Sequence, residues 1–196
     1  PLHGRGDRRN GVPEARLWCR PNPVDESRFR PVTDAEKFRI RAELTPFGPT
    51  DKLIVYVANF IPRKNHLFLI DALRHLSSEF KLWLAGPVAT SGPNAATAAD
   101  LVARAQAAAA GLPGRVAVVP GYREDVHRCQ QMADVSAFPT QAEGLGTPML
   151  EAIACGVPVV ANRIPGITDA WIHDGENGFL SDLDPAAFAE RLRLAA

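Results

Sequence analysis

The chain has 196 residues, and its 22 lysines and arginines balance 22 aspartates and glutamates. A formal net charge of zero removes any electrostatic case for nucleic acid or an anionic membrane surface as a partner. Cys19, Cys129 and Cys155 lack the paired spacing of a zinc site, and the alanine-rich stretch Ala95 to Ala110 carries Asp100, Arg104 and Gln106, so it falls short of the ~18 apolar residues of a membrane span.

Residues 1–14, with Arg5, Asp7, Arg8 and Arg9, read as an unanchored segment or the stub of a further domain, and 15–196 as one domain. Apolar runs at 53–58, 81–85, 115–119, 134–138, 157–161 and 178–181 have strand length and alternate with helical patterns. Leu69, Ala72, Leu73 and Leu76 share one helix face, and Leu101, Ala105 and Ala108 share another. This alternation predicts an α/β fold, a doubly wound parallel sheet of about six strands with helices on both faces. Pro87 to Pro93 reads as a loop, and Asp184-Pro185 as the start of the last helix. That N-cap reading takes precedence over an Asp182-Leu-Asp184 magnesium clamp. No metal and no cofactor is expected.

The segment Gln141-Ala-Glu-Gly-Leu-Gly-Thr-Pro-Met-Leu-Glu151 carries the chemistry. Gly144 and Gly146 permit positive φ, and Thr147-Pro148 reads as an N-cap followed by a first-turn proline, so a helix is expected from about Pro148. The start of a helix offers unpaired N–H groups and partial positive charge, which attract a diphosphate. Carboxylates beside it, Glu143 in the loop and Glu151 one turn into the helix, repel that diphosphate. They make sense if the ligand also presents hydroxyls, because an ionised carboxylate only accepts hydrogen bonds. Diphosphate together with polyols describes a sugar nucleotide. The plainer alternative is that Glu151 complements the helix dipole and Glu143 is a solvated loop residue.

A second candidate element follows the first strand, Asn59-Phe-Ile-Pro-Arg-Lys-Asn-His66. Lys64 and Arg63 would stabilise negative charge on a departing diphosphate, although Arg63 also reads as a solvated turn residue. Tyr122 either packs on a nucleobase or belongs partly to the core. His66 and His127 read as structural or surface residues, and Trp18, Trp83 and Trp171 as packing residues. The loop 165–169 lies where it would border a cleft.

These segments together resemble the group 1 glycosyltransferases, retaining enzymes with two Rossmann-like domains facing across a cleft (the GT-B fold). Asn22-Pro-Val-Asp-Glu-Ser-Arg-Phe-Arg-Pro31 is similar to the family's interdomain segment and Ile54 to His66 to its diphosphate strand and turn. Gly121-Tyr-Arg-Glu-Asp125 is similar to its nucleobase loop. Glu143 and Glu151, seven residues between them, match its paired glutamates, followed by Ala-Cys-Gly-Val-Pro-Val-Val.

The resemblance implies that the chain is the donor half, with Glu143, Lys64 and Arg63 at the reaction centre. Asn59, Tyr122, Gly144, Leu145, Gly146, Thr147 and Glu151 would bind the donor, with Glu151 on the ribose diol. It implies that a hexose moves from a nucleoside diphosphate sugar to a hydroxyl of a glycan, lipid or small molecule. Asn59 departs from the resemblance, which usually places an arginine there.

The family's acceptor half precedes the donor half. The chain begins at Pro1 and ends within a helix at Ala196, so a piece of a longer cytoplasmic enzyme is expected, peripheral at a membrane only through the other half. Two other functions stay open: a non-catalytic sugar-nucleotide binding module, and a nucleotide-sugar epimerase or hydrolase of similar fold. A nicotinamide site is disfavoured because no Gly-x-Gly-x-x-Gly follows the first strand.

Overall fold

The computed structural model describes residues 22–196. Residues 1–14, Trp18 and Cys19 lie outside them. The strands are β1 (Lys52–Val57), β2 (Phe80–Gly86), β3 (Val116–Pro120), β4 (Val135–Phe138), β5 (Val159–Asn162) and β6 (Gly178–Ser181). The helices are α1 (Asp34–Leu44), α2 (His66–Leu73), α3 (Ala95–Ala110), α4 (Val126–Gln131), α5 (Thr147–Ala154) and α6 (Pro185–Ala195).

All strand pairs are parallel, in the order β3-β2-β1-β4-β5-β6. The six-stranded Rossmann-like α/β sheet expected from the sequence is therefore present. Leu53 to Val57 are all buried, the continuous apolar run of a strand covered on both faces. Helix α2 packs against α3 and α6, and α4 against α1 and α5, giving two groups of helices about the sheet. Because β1 has β2 on one side and β4 on the other, the chain winds outward in opposite directions from this pair. A crevice opens at their carboxyl ends, where sheets of this kind bind ligands.

The start of β5 and the buried face of α3 differ from expectation, the first for a local reason. The expected strand from 157 starts only at Val159, because the exit from α5 uses the preceding residues. Gly156 takes φ 72°, its N–H bonds to the Ile153 carbonyl at 2.9 Å, and the Val157 N–H bonds to the Ala152 carbonyl at 3.0 Å. In α3 the fully buried positions are Ala98 and Ala105, while Leu101 and Ala108 are half-buried, so the core face is turned toward Ala98. Leu69, Ala72, Leu73 and Leu76 are buried as expected. So is Trp83, while Trp171 is half-buried. The Asp184 carboxylate accepts from the Ala187 N–H at 2.8 Å, which makes it the N-cap of α6.

Arg41, on α1, is 1% exposed. It donates to the Met132 carbonyl at 2.8 Å, the Asp51 carbonyl at 2.8 Å and the Asp134 carboxylate at 2.8 Å. Asp134 also accepts from the Leu53 N–H at 2.6 Å and from Lys37 at 2.5 Å. This network fastens α1 to the start of both central strands and leaves the buried guanidinium compensated. Among the described residues no helix is long and apolar enough to cross a membrane.

Candidate functional site

A cavity of about 360 Å³ lies at the carboxyl ends of β1 and its neighbours. Asn59, Arg63 and Lys64 line it from the turn after β1, Glu143 from the loop after β4, and Pro148 and Glu151 from α5. Gly86 and Pro87 follow β2 there, and Tyr122 and Arg123 follow β3. Glycine is required at 86, because a Cβ there would sit 2.0 Å from the Ala58 carbonyl oxygen.

The turn after β1 is tightly held. The Phe60 N–H bonds to the Pro87 carbonyl at 2.9 Å, Pro62–Lys64 form one 3-10 turn, and Asn65 enters the left-handed region at φ 61°. Lys64 is 8% exposed. Its ammonium is ion-paired with the Glu143 carboxylate and lies 5.6 Å from the centre of the Phe138 ring. Arg63 is more open: it donates to the Ala142 carbonyl at 2.8 Å and stands 4.0 Å from Glu143. The Arg63 carbonyl accepts from the Gln141 N–H at 2.8 Å and from the Thr140 hydroxyl at 3.3 Å. The two candidate segments therefore form one unit, joined by side chains and backbone.

The glycine loop corrects one expectation. The N-cap of α5 is Gly146, at φ 80° and ψ 48°, and Thr147 is the first helical residue. The Thr147 hydroxyl accepts instead from the Asn22 side chain at 3.3 Å. The positive φ at Gly146 favours glycine, and a Cβ there would press on Phe138 Cζ at 3.1 Å, a tight contact. The Gly144 N–H faces the Glu143 carboxylate at 3.4 Å, whereas among the described residues those of Leu145, Gly146 and Thr147 make no hydrogen bond.

Glu151 is half-buried and lines the cavity without a hydrogen-bond or ion-pair partner among the described residues. Burial holds its carboxyl above the ordinary 4.5. Tyr122 is 79% exposed, so it is no part of the core; it borders both the cavity and an adjoining apolar groove. Asn59 is exposed at the rim.

Arg123, which the sequence did not single out, donates twice to Asp125, at 2.8 and 2.6 Å, and lies 5.3 Å from the Trp83 ring. Its position after Gly121, at the end of a strand, was the available signal.

His66 is 2% exposed, stacked on Phe60 with ring centroids 4.3 Å apart. Its Nε2 lies 3.3 Å from the Ala58 carbonyl oxygen, and burial pushes it down to about 4, so it is neutral and structural. His127 pairs with Arg28 at 3.2 Å, away from the cavity. The loop 165–169 does not reach the cavity; the buried Thr168 donates to the Asn162 carbonyl at 2.7 Å and braces the end of β5. Among the described residues no three histidines, cysteines or carboxylates gather in a way that would hold a metal ion.

A putative glycosyltransferase of Bacillus subtilis, EpsD, is 35% identical over 173 residues, covering 86% of this chain and 42% of its own. A GDP-mannose-dependent phosphatidylinositol monomannoside mannosyltransferase of Mycolicibacterium smegmatis is 34% identical over 183 residues, covering 87% of this chain and 44% of its own. Among solved structures, Anabaena HepE in complex with UDP and glucose superposes with a TM-score of 0.76 at 24% identity, over 87% of this chain and 45% of that one. This last likeness bears on the fold alone. The chain thus spans less than half the length of these relatives. The family described as glycosyl transferases group 1 matches residues 51–195, from just before β1 to the end of α6, and the protein belongs to that family.

Proposed function

We propose that this chain is the donor-binding part of a glycosyltransferase that moves a hexose, with retention, from a nucleoside diphosphate sugar to a hydroxyl acceptor. One observation carries the reading. Buried Lys64 lines one cavity together with Glu151, which has no partner among the described residues, and α5 reaches that cavity at Pro148, next to N–H groups of Leu145, Gly146 and Thr147 that are unbonded among the described residues. Cation and N–H groups suit a diphosphate, and the carboxylate suits a diol. HepE, of similar fold, was solved with UDP and glucose.

In this reading the ribose diol donates to Glu151, and the N–H groups of Leu145, Gly146 and Thr147 serve the phosphates and sugar hydroxyls. Lys64 and Arg63 stabilise charge on the departing diphosphate, an effect of about 2.7–4 kcal/mol for a comparable donor. Glu143, released from Lys64, faces the sugar, where an oxocarbenium-like state favours a negative group. The acceptor is held by a further domain. Tyr122 closes over the base.

The test is calorimetric titration of the chain with UDP, GDP and ADP, with AMP and NAD as controls. Selective binding of one diphosphate supports the reading; binding of NAD or AMP at equal strength opposes it. The neutral Asn59 at the rim favours one other reading, a binding module without transferase activity. Tight donor binding without transfer by the full-length protein would select it.

A further inference from the structure

Tyr56 lies inside β1, is 1% exposed and does not line the cavity, yet its hydroxyl donates to the Lys64 carbonyl at 2.7 Å. Burial, and then the charge of Glu143, push its phenol well above the ordinary 10.0, which keeps it a donor. Its ring borders His66 at a centroid distance of 5.0 Å, and His66 in turn stacks on Phe60. The three rings form a buried wall behind the turn. The preceding carbonyl, that of Arg63, is held by Gln141 and Thr140 from the loop after β4.

Two successive carbonyls are thus held by different elements, β1 and the loop after β4, and they belong to the two peptide planes that flank the Lys64 Cα. Fixing both planes fixes φ and ψ at Lys64, and with them the direction in which its side chain leaves the backbone. A buried phenylalanine would fill the same space without this bond. The hydroxyl is therefore the part of Tyr56 that packing does not explain, because burying it is unfavourable unless it is bonded.

We propose that Tyr56 is a positioning residue which, through the Lys64 carbonyl, aims the Lys64 ammonium at a bound diphosphate. The proposal rests on the reading of Lys64 as the diphosphate cation. Its action is indirect: Tyr56 touches no ligand and matters only while Lys64 is present.

That dependence supplies the test. The chain and its Tyr56→Phe, Lys64→Ala and doubly substituted forms are titrated with UDP, GDP and ADP, and their thermal unfolding is recorded. Loss of one hydrogen bond predicts that Tyr56→Phe weakens the diphosphate bound by the wild type roughly threefold to tenfold. In the Lys64→Ala background the same change should weaken it no further, while any drop in unfolding temperature persists in both backgrounds.

Undiminished affinity in Tyr56→Phe, with Lys64→Ala weakened, overturns the positioning role and leaves the reading of the site intact. Equal losses in both backgrounds mark a general structural effect and also overturn it. Lys64→Ala binding as tightly as the wild type, or no diphosphate binding by the wild type, overturns the reading of the site and this proposal together.

Discussion

The Lys64 ammonium and the Glu143 carboxylate are ion-paired across the cleft, joining the turn after β1 to the loop after β4. Their side chains are only 10% and 16% exposed, so the pair is shielded from solvent. On the proposed reading, a diphosphate that takes Lys64 competes with Glu143 for it and frees that carboxylate to face the sugar.

Removing the competitor should therefore favour the free nucleotide. Glu143→Gln is expected to tighten binding of the selected nucleoside diphosphate several-fold, on the scale of roughly 1 kcal/mol for a modest ion pair. Calorimetry on the two proteins decides it. Unchanged or weaker binding contradicts the competition.

Glu151 should trade stability for binding. Burial raises its carboxyl in the folded chain above 4.5, so the folded state resists ionisation more than the unfolded state does. Well below that value both states are protonated and the effect vanishes. As pH rises through the raised folded value, the unfolded chain releases the proton more readily, and stability is lost. Glu151→Gln should accordingly raise the unfolding temperature at neutral pH, change it little in acid, and weaken nucleotide binding. Thermal melts at both pH values are the check, and a variant less stable at neutral pH contradicts the assignment.

Asn59 stands at the rim of the cleft, where the family resemblance implies an arginine. Asn59→Arg adds a cation within reach of a diphosphate held by Lys64, and a charge-assisted hydrogen bond of ~1.5–3 kcal/mol predicts at least about tenfold tighter binding. Titration of the variant against the wild type tests this; no gain would mean that the position does not reach the phosphates.

Asp134 supports the fold and not the cleft. It accepts from Lys37, Arg41 and the Leu53 N–H, so Asp134→Ala leaves Arg41 buried without its anion. The expected loss is about 3–5 kcal/mol in denaturant unfolding. A loss below roughly 1 kcal/mol would show that water or the carbonyl acceptors of Arg41 compensate.

The strands were legible because those covered on both faces are written as unbroken apolar runs, as in Leu53 to Val57. Thr147 was misread as a cap because threonine suits that position by its side chain, whereas Gly146 takes it by its backbone, at φ 80°. Lys64 and Glu143 were each visible as candidates, but their pairing spans 79 positions and depends on how the loops close. Arg41 reads as an ordinary helix-surface arginine, since nothing local announces that Met132, Asp51 and Asp134 will surround it. The exposure of Tyr122 was equally hidden, because a residue just past a strand faces solvent or core according to the loop that follows.

In the proposed function one cleft divides its ligand, Lys64 taking the diphosphate and Glu151 the ribose. The most direct measurement is titration of the wild type, Lys64→Ala and Glu151→Ala with the selected nucleoside diphosphate and with the same base's nucleoside monophosphate. Glu151→Ala is expected to weaken both ligands, and Lys64→Ala to weaken the diphosphate much more than the monophosphate. Equal losses for both ligands in Lys64→Ala, or undiminished binding in Glu151→Ala, would contradict that division.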